Sequence, residues 1–514
     1  MSSPIYTTRA VPTGIPSLSG GLNSNASGIS VQNNESTDCQ NVDYDIFGSV
    51  LSRNGYTRLN TSAFNSGATW NSLHWFELSS DTDYIIGTCG NKLAKMDVLD
   101  GTWDDITGAV TITAGNNNHM RWKTFLDTAI GTNNVNLPIK WTGTGNASVL
   151  GGIAGGGVAP TITKVKYLEI FNAYTILANV TSSGVVQKNR VYWSTINTIE
   201  TFDAADFNDV DKNDGTEITG LKVLGDKLVI FKERSIHIAL FTGDADIPFQ
   251  FVKTPSHVGC VSGDSIQLIS NGLKFLSHDG LYYFDGSNST KISDKITSTL
   301  DLFSKSRFAN VQSVYQKEKN KYWASFTTNG NVTNDRGITW DTINNAYSFY
   351  KGHNANCFAI VNTAGEERVY FGDYSGFVYR ADTGINDNPS GIATAIDSYW
   401  YSKWMNFDDL VDKKGIPSVY IYYQISSSTL TFAYSYDFES TDTYTQTFSM
   451  ATSSAVYGTA IFDLDTYAAT GGAIKRRDLT GRGTVIRFKF ANATIDEYFR
   501  IDGLGILAYL ETYK

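Results

Sequence analysis

One pattern recurs along the middle of the chain and limits what it can fold into. An aromatic-rich strand, a turn of Gly, Asp or Asn, a second strand and then a third are met seven times between residues 70 and 385. The series opens with residues 75–78, 84–88 and 92–96 and continues through "HMRWKTFLDTAIGTNNVNLPIKW" and "KVKYLEIFNAYTILANV" with "NRVYWS". "ITGLKVLGDKLVIFKERSIHIALF", "NGLKFLSHDGLYYFDGS", "SVYQKEKNKYWASFTT" with "GITWD", and "CFAIVNTAGEERVYFGDYSGFVYRAD" complete it. A spacing of about 43 to 52 residues suits a four-stranded propeller blade better than the shorter helical or leucine-rich repeats. No blade buries both faces alone, so stacked blades cover one another and the array has to close. The expectation is a mainly β chain with a β-propeller of about six to seven blades.

Inside a repeat the patterning separates strand types. In "DKLVIFKERSIHIALF" the run Leu228, Val229, Ile230 and Phe231 suits an inner strand covered on both faces. Ile236, Ile238 and Leu240, interleaved with His237 and Ala239, suit a half-buried outer strand. "SDKITSTLDLFSKSRF" spaces Ile296, Leu300, Phe303 and Phe308 close to a helical face, which predicts a short helix bridging two blades, with a loop carrying apolar anchors as the alternative. Residues 141–163, rich in glycine, read as a flexible connector between the second and third blades. The expected domains are an arm over 1–60 that packs on the platform or a neighbouring subunit, a propeller over 61–390, and a sandwich-like β platform over 391–514.

Composition narrows the function classes. With 51 acidic and 41 basic side chains the formal charge is −10, which supplies no footprint for gripping nucleic acid phosphates. The start has no apolar core of a secretory signal and no later stretch suits a bilayer span, so cytoplasmic synthesis without a membrane span is expected. Cys39, Cys89, Cys260 and Cys357 lie far apart with no C-x-x-C, and read as free buried thiols. The six His residues show no paired metal-ligand spacing, and no cofactor is expected.

Four motifs bear on chemistry. Ser277, Asp279 and Gly280 approach the Asp-box of sialidase-like propellers, but the glycine stands one place early, and such a box stabilises a turn. The stretch is read as a hairpin turn, and no catalytic residues are assigned. "DVDKNDGTE" offers Asp209, Asp211, Asn213 and Asp214 as oxygen ligands for calcium, yet Gly215 and Gly220 stand where a calcium loop needs other residues. A polar inter-blade loop is the reading there, an irregular Ca²⁺ site the alternative. The glycines of 151–157 lack the Lys-Ser/Thr ending of a phosphate loop. "KRRDLTGRG", with Lys475, Arg476, Arg477 and Arg482, is a compact basic run in a loop, suited to docking on an acidic partner or to plain solvation.

The order of the pieces carries a resemblance. "GGLN", then "NVDYD" and "GSVLSRNGYTRL", are similar to the amino-terminal arm of the tail nozzle or tail-hub propeller proteins of short-tailed bacteriophages. "ITGLKVLGDKLVIFKERSI", "GLKFLSHDGLYYFDG", "VYFGDYSGFVYRADTG", "WYSKWMNF" and "DKKGIPSVYIYY" follow in the order that family shows. The resemblance implies a non-enzymatic virion structural protein: a hexameric ring below the portal and its adaptor, in contact with tail fibre or tail-tip proteins, through which double-stranded DNA passes without specific binding. It implies an interface drawn from Asn41, Val42, Tyr44, Arg53 and Tyr56 of the arm and from Arg476 and Arg477. The competing reading is a host-surface propeller that binds or cleaves carbohydrate, because aromatic side chains stack on sugars as readily as they fill blades.

Overall fold

The structure, a computed structural model, describes residues 6–97, 100–156, 159–363, 365–451 and 472–513. Its described residues form seven small sheets in chain order, antiparallel but for one strand pair, and two terminal sheets of seven and five strands, an arrangement compatible with a propeller carrying a further β unit. The first small sheet is built from Trp70–Glu77, Asp83–Cys89, Lys92–Asp97 and Asp104–Asp105. The others follow over 121–149, 154–209, 218–253, 267–291, 312–351 and 357–388. Each recurrence seen in the sequence therefore forms a sheet of its own. No helix among the described residues is long and apolar enough to cross a membrane.

Local chemistry explains the hairpins. Two-residue turns that match strand twist need left-handed backbone at both positions. Asn172 and Ala173 take φ of 47° and 64°, and Leu126 and Asp127 take 49° and 52°. Second strands are covered on both faces: every residue of Thr128–Thr132 and Gly272–Ser277 is buried. In the fourth sheet Lys227–Lys232 is buried beyond its first residue, while Ile236–Phe241 is covered less completely, as the alternation predicted.

The seventh sheet is finished by the amino-terminal segment. Tyr56–Arg58 pairs antiparallel with Val378–Ala381, and Asp387–Asn388 runs parallel along its other edge. Trp70 of the first sheet then shares a core with Cys357, Val361, Tyr370 and Val378 of the seventh. Asn356 reinforces this junction by donating to the Trp70 carbonyl at 2.9 Å.

The first 60 residues pack on the terminal sheets as strands of them, and the chain passes from the small sheets to the terminal ones between Asp387–Asn388 and Ser398–Tyr401. Tyr6–Ile15, Val42–Tyr44 and Val50–Ser52 belong to the seven-stranded terminal sheet, and Asp38–Gln40 to the five-stranded one. With Tyr56–Arg58 in the seventh small sheet, this segment is woven into three sheets. The two terminal sheets share a core in which Val42, Val419, Ile421 and Ile501 meet Trp400, Phe432 and Phe488. This core runs on without a break into Leu276, Phe326 and Tyr347 of the fifth and sixth small sheets.

Two expectations change. The helical face of 293–308 buries its anchors Ile296, Leu300, Phe303 and Phe308, but the α-helix is only Thr297–Leu300, between short 3-10 turns. Ser and Thr in this stretch compete for backbone hydrogen bonds and do not sustain a longer helix. The glycine-rich stretch 141–163 is no free connector. It holds Ser148–Val149 and the start of Ala159–Phe171, and Glu200 ties it down through Lys140 at 2.7 Å and the Gly151 amide at 2.8 Å. Gly152 is required there, because its φ is +65° and a Cβ would collide with the Glu200 carbonyl.

Candidate functional site

The first strands of six small sheets, the second strand of the third (Ala159–Phe171) and the turn before the fifth surround a cavity of about 280 Å³. Strand alternation decides what enters it. On Arg121–Phe125 the side chains of Arg121 and Lys123 line the cavity, while buried Trp122 donates to the Ser72 hydroxyl at 2.9 Å. Glu169 comes from the third sheet, Lys222 from the fourth, Asp264 from the turn before the fifth and Gln312 from the sixth.

Two ion pairs organise the wall. Arg121 holds Asp264 through a bidentate pair at 2.8 and 2.6 Å, and Gln312 donates to the same carboxylate at 3.0 Å. Burial alone would raise Asp264, but the charge of Arg121 and these hydrogen bonds hold it below the usual carboxylate value. Arg121 also lies over the Tyr167 ring, 4.8 Å from its centre. Lys123 pairs with Glu169 at 2.6 Å. Burial, and next the charge of Lys123, lower Lys222 to about 8. His119 is lowered chiefly by burial and bonds Asn356 at 3.1 Å.

The calcium-like loop is filled from within. Lys232 Nζ, wholly buried, donates to the carbonyls of Val210 and Asp211 at 3.1 and 2.9 Å and to the Asp214 carboxylate at 2.6 Å. Asp209 is taken by Arg190 at 2.7 Å and Asp211 by Lys253 at 2.6 Å. Asn213 is exposed on the same turn. An ammonium thus stands where the loop oxygens converge, and no group of three or more His, Cys, Asp or Glu suited to a metal occurs among the described residues.

The interface candidates divide by position. Asn41, Val42, Tyr44, Arg53 and Tyr56 are all buried by the chain's own residues, so in this fold they offer no surface to a neighbour. Arg53, its side chain 1% exposed, has every N–H engaged: Nε with Asn41 at 2.9 Å, the outer nitrogens with the Asn54 and Lys351 carbonyls and, at 2.8 and 2.7 Å, with Asp387. Arg476 and Arg477 lie in the strand Gly472–Asp478, where a loop was expected, and they point to opposite faces. Arg477 packs 4.3 Å from the centre of the Phe448 ring, whereas Arg476 is exposed and pairs with Asp478 at 3.1 Å.

The exposed face beside Arg476 is what the sequence reading missed. Tyr420 and Tyr422 alternate outward from Lys413–Gln424, and the pairing register places Arg476 and Ile474 opposite them on one side. On the other side the same register sets Gly505 and Gly503. Tyr420, Tyr422 and Ile474 are 37%, 41% and 56% exposed, so two aromatic rings and an aliphatic chain lie open on this face beside the Arg476–Asp478 ion pair. The signal was present in "SVYIYYQ", whose alternation carries large aromatics on both faces where a half-solvated strand would carry polar residues on one.

The remaining candidates are structural. Asp279 accepts from the Tyr282 hydroxyl at 3.0 Å and pairs with Lys291 at 3.2 Å, as befits a hairpin turn. All four cysteines are free and buried, with Cys39 pushed up to about 11 by burial. No protein-family model and no curated protein matches this chain.

Proposed function

We propose that the chain is a non-enzymatic structural protein of a short-tailed phage virion, a tail nozzle or hub subunit built as a closed seven-bladed propeller on a terminal β-sandwich. The ring reading is supported by the strand Tyr56–Arg58 completing the last small sheet and by the cavity to which all seven small sheets contribute residues. The observation that carries the assembly reading is the exposed face of Tyr420, Tyr422 and Ile474 on a sheet made from both ends of the chain. Exposed contiguous apolar surface marks sites of protein contact, and aromatic residues with Arg are the commonest anchors of such contacts.

In this reading the platform face joins neighbouring subunits in a hexamer and meets the portal-adaptor ring, while loops of the small sheets meet fibre or tail-tip proteins. The net charge of −10 per subunit makes the ring acidic, which favours passage of duplex DNA without retention. The test mixes the purified chain with portal-adaptor complexes and follows incorporation by sizing and electron microscopy. Wild type is expected to enter a ring, and the double substitution Tyr420→Asp with Tyr422→Asp to stay monomeric at an unchanged melting temperature. Normal incorporation of that variant would remove the carrying observation, and glycan-array binding by the wild type would favour a host-surface role.

A further inference from the structure

The cavity between the small sheets holds one cation without a bonding partner. Lys123, Glu169 and Lys222 come from Arg121–Phe125, Ala159–Phe171 and Ile218–Leu224, and the middle strand packs against both others, so the carboxylate is contributed from between the strands that carry the two ammonium groups. Glu169 Oε1 is already engaged by Lys123 at 2.6 Å and accepts from the Ile170 amide at 3.1 Å. Lys222 makes no hydrogen bond or ion pair with any described residue, although the field of Glu169 reaches it.

The other charges facing the cavity do not compensate. Arg121 and Asp264 neutralise each other, and His119, lowered by burial, is uncharged at pH 7. Three cations thus face two carboxylates, a local positive surplus inside a chain whose net charge is −10. Burial is the first cause that brings Lys222 down to about 8, and repulsion from Lys123 is the second. An anion that enters the cavity beside Lys222 would relieve both.

We propose that this cavity is a binding site for a small oxyanion, a phosphate-like or carboxylate group held by Lys222 with the charge of Lys123 beside it. A volume of about 280 Å³ admits such a group with its waters, or a small molecule that bears one, and it is too small for a polymer. The site is independent of the assembly role, since it lies among the small sheets and away from the Tyr420 and Tyr422 face.

The probes are sulfate, which is tetrahedral and keeps its charge from pH 6 to 10, and acetate, which stands for a carboxylate. Calorimetric titration of the full chain at low ionic strength is expected to give saturable binding at pH 7 of at least one of them. Sulfate alone would identify a phosphate-like ligand and acetate alone a carboxylate. Binding is expected to weaken tenfold or more in Lys222→Met, to persist in Lys222→Arg, and to fade as pH rises through about 8 toward 9.5. No saturable binding of either anion, or equal affinity in Lys222→Met, would overturn the site. If the Met variant does not fold, the pH series on the wild type decides, and a flat affinity through pH 9.5 would overturn it.

Discussion

Lys232 and Lys274 are both wholly buried, in the second strands of neighbouring sheets, and their surroundings predict opposite responses to the same substitution. Lys232 meets three oxygen acceptors within 3.1 Å. Lys274 meets none: its Nζ lies 3.9 Å from the centre of the Trp340 ring, 4.0 Å from Tyr322 and 5.3 Å from Tyr347. The ring faces attract an ammonium, but burial without an acceptor dominates and pushes Lys274 well below its ordinary value. Lys232→Met should cost about 3–5 kcal/mol, because Asp214 and two carbonyls are left without their donor. Lys274→Met should instead stabilise by about 1–4 kcal/mol at pH 7, since an apolar chain of similar length fills the same space without a charge to desolvate. The pH dependence has a defined sign. A basic group depressed in the folded state leaves the unfolded chain holding the extra proton, so its contribution to stability rises with pH until it reaches the unfolded value near 10.4. The advantage of Lys274→Met over wild type should therefore shrink between pH 7 and 9.5 in urea titrations. An advantage that stays constant would show that the buried lysine keeps its proton.

Among the elements, the amino-terminal strands hold disproportionate influence for their length. Asp38–Gln40, Val42–Tyr44, Val50–Ser52 and Tyr56–Arg58 are three residues each, yet they enter three different sheets. Arg53 pins the turn between the last two by its bidentate pair with Asp387 and its bond to the Lys351 carbonyl of the sixth small sheet. Arg53→Ala should destabilise by about 3–5 kcal/mol, because it strands a buried carboxylate as well as two carbonyls. A chemical melt that moves by less than about 1 kcal/mol would show that Asp387 finds another partner. These strands also mark where sequence reading stops. Long alternating runs such as "DKLVIFKERSIHIALF" declare themselves because a period of two persists over several residues, and the seven repeats were legible for that reason. A three-residue strand contains no measurable period. Tyr44 and Tyr56 therefore passed as exposed interface aromatics when their partners, Cys39 at 3.6 Å and the Gly352 carbonyl at 3.1 Å, lie inside the chain. The cavity pair of Lys123 and Glu169 escaped for a related reason. They are 46 positions apart, and only the sheet-to-sheet packing brings them to 2.6 Å.

At the scale of the whole molecule, the question is whether the small sheets and the terminal sheets are separable. Two physical arguments say they are not. The core of the terminal sheets includes Leu276, Phe303, Phe326 and Tyr347, each at most 1% exposed, so removing the termini would uncover a large apolar face on the fifth and sixth small sheets. At roughly 25 cal/mol per Å², four such side chains represent on the order of 6–12 kcal/mol of burial, comparable to the entire stability of an ordinary domain. The seventh sheet would also lose Tyr56–Arg58, leaving Val378–Ala381 with an open edge and the cluster of Tyr56, Trp323, Phe371 and Tyr379 without one of its rings. A fragment spanning 61–390 should therefore fail to fold, appearing as aggregate or as a species with no cooperative melt, and adding back residues 1–58 as a peptide should not rescue it, since the core of the terminal sheets would still be missing. The intact chain should unfold in one transition, with tryptophan fluorescence and far-UV circular dichroism superimposing. Hydrogen exchange is expected to give the strand Lys321–Phe326 and the strand Ile486–Asn492 the same opening free energy, because one continuous core holds both. A soluble 61–390 fragment with the melting temperature of the full chain would mean that the shared core is a contact between two autonomous units.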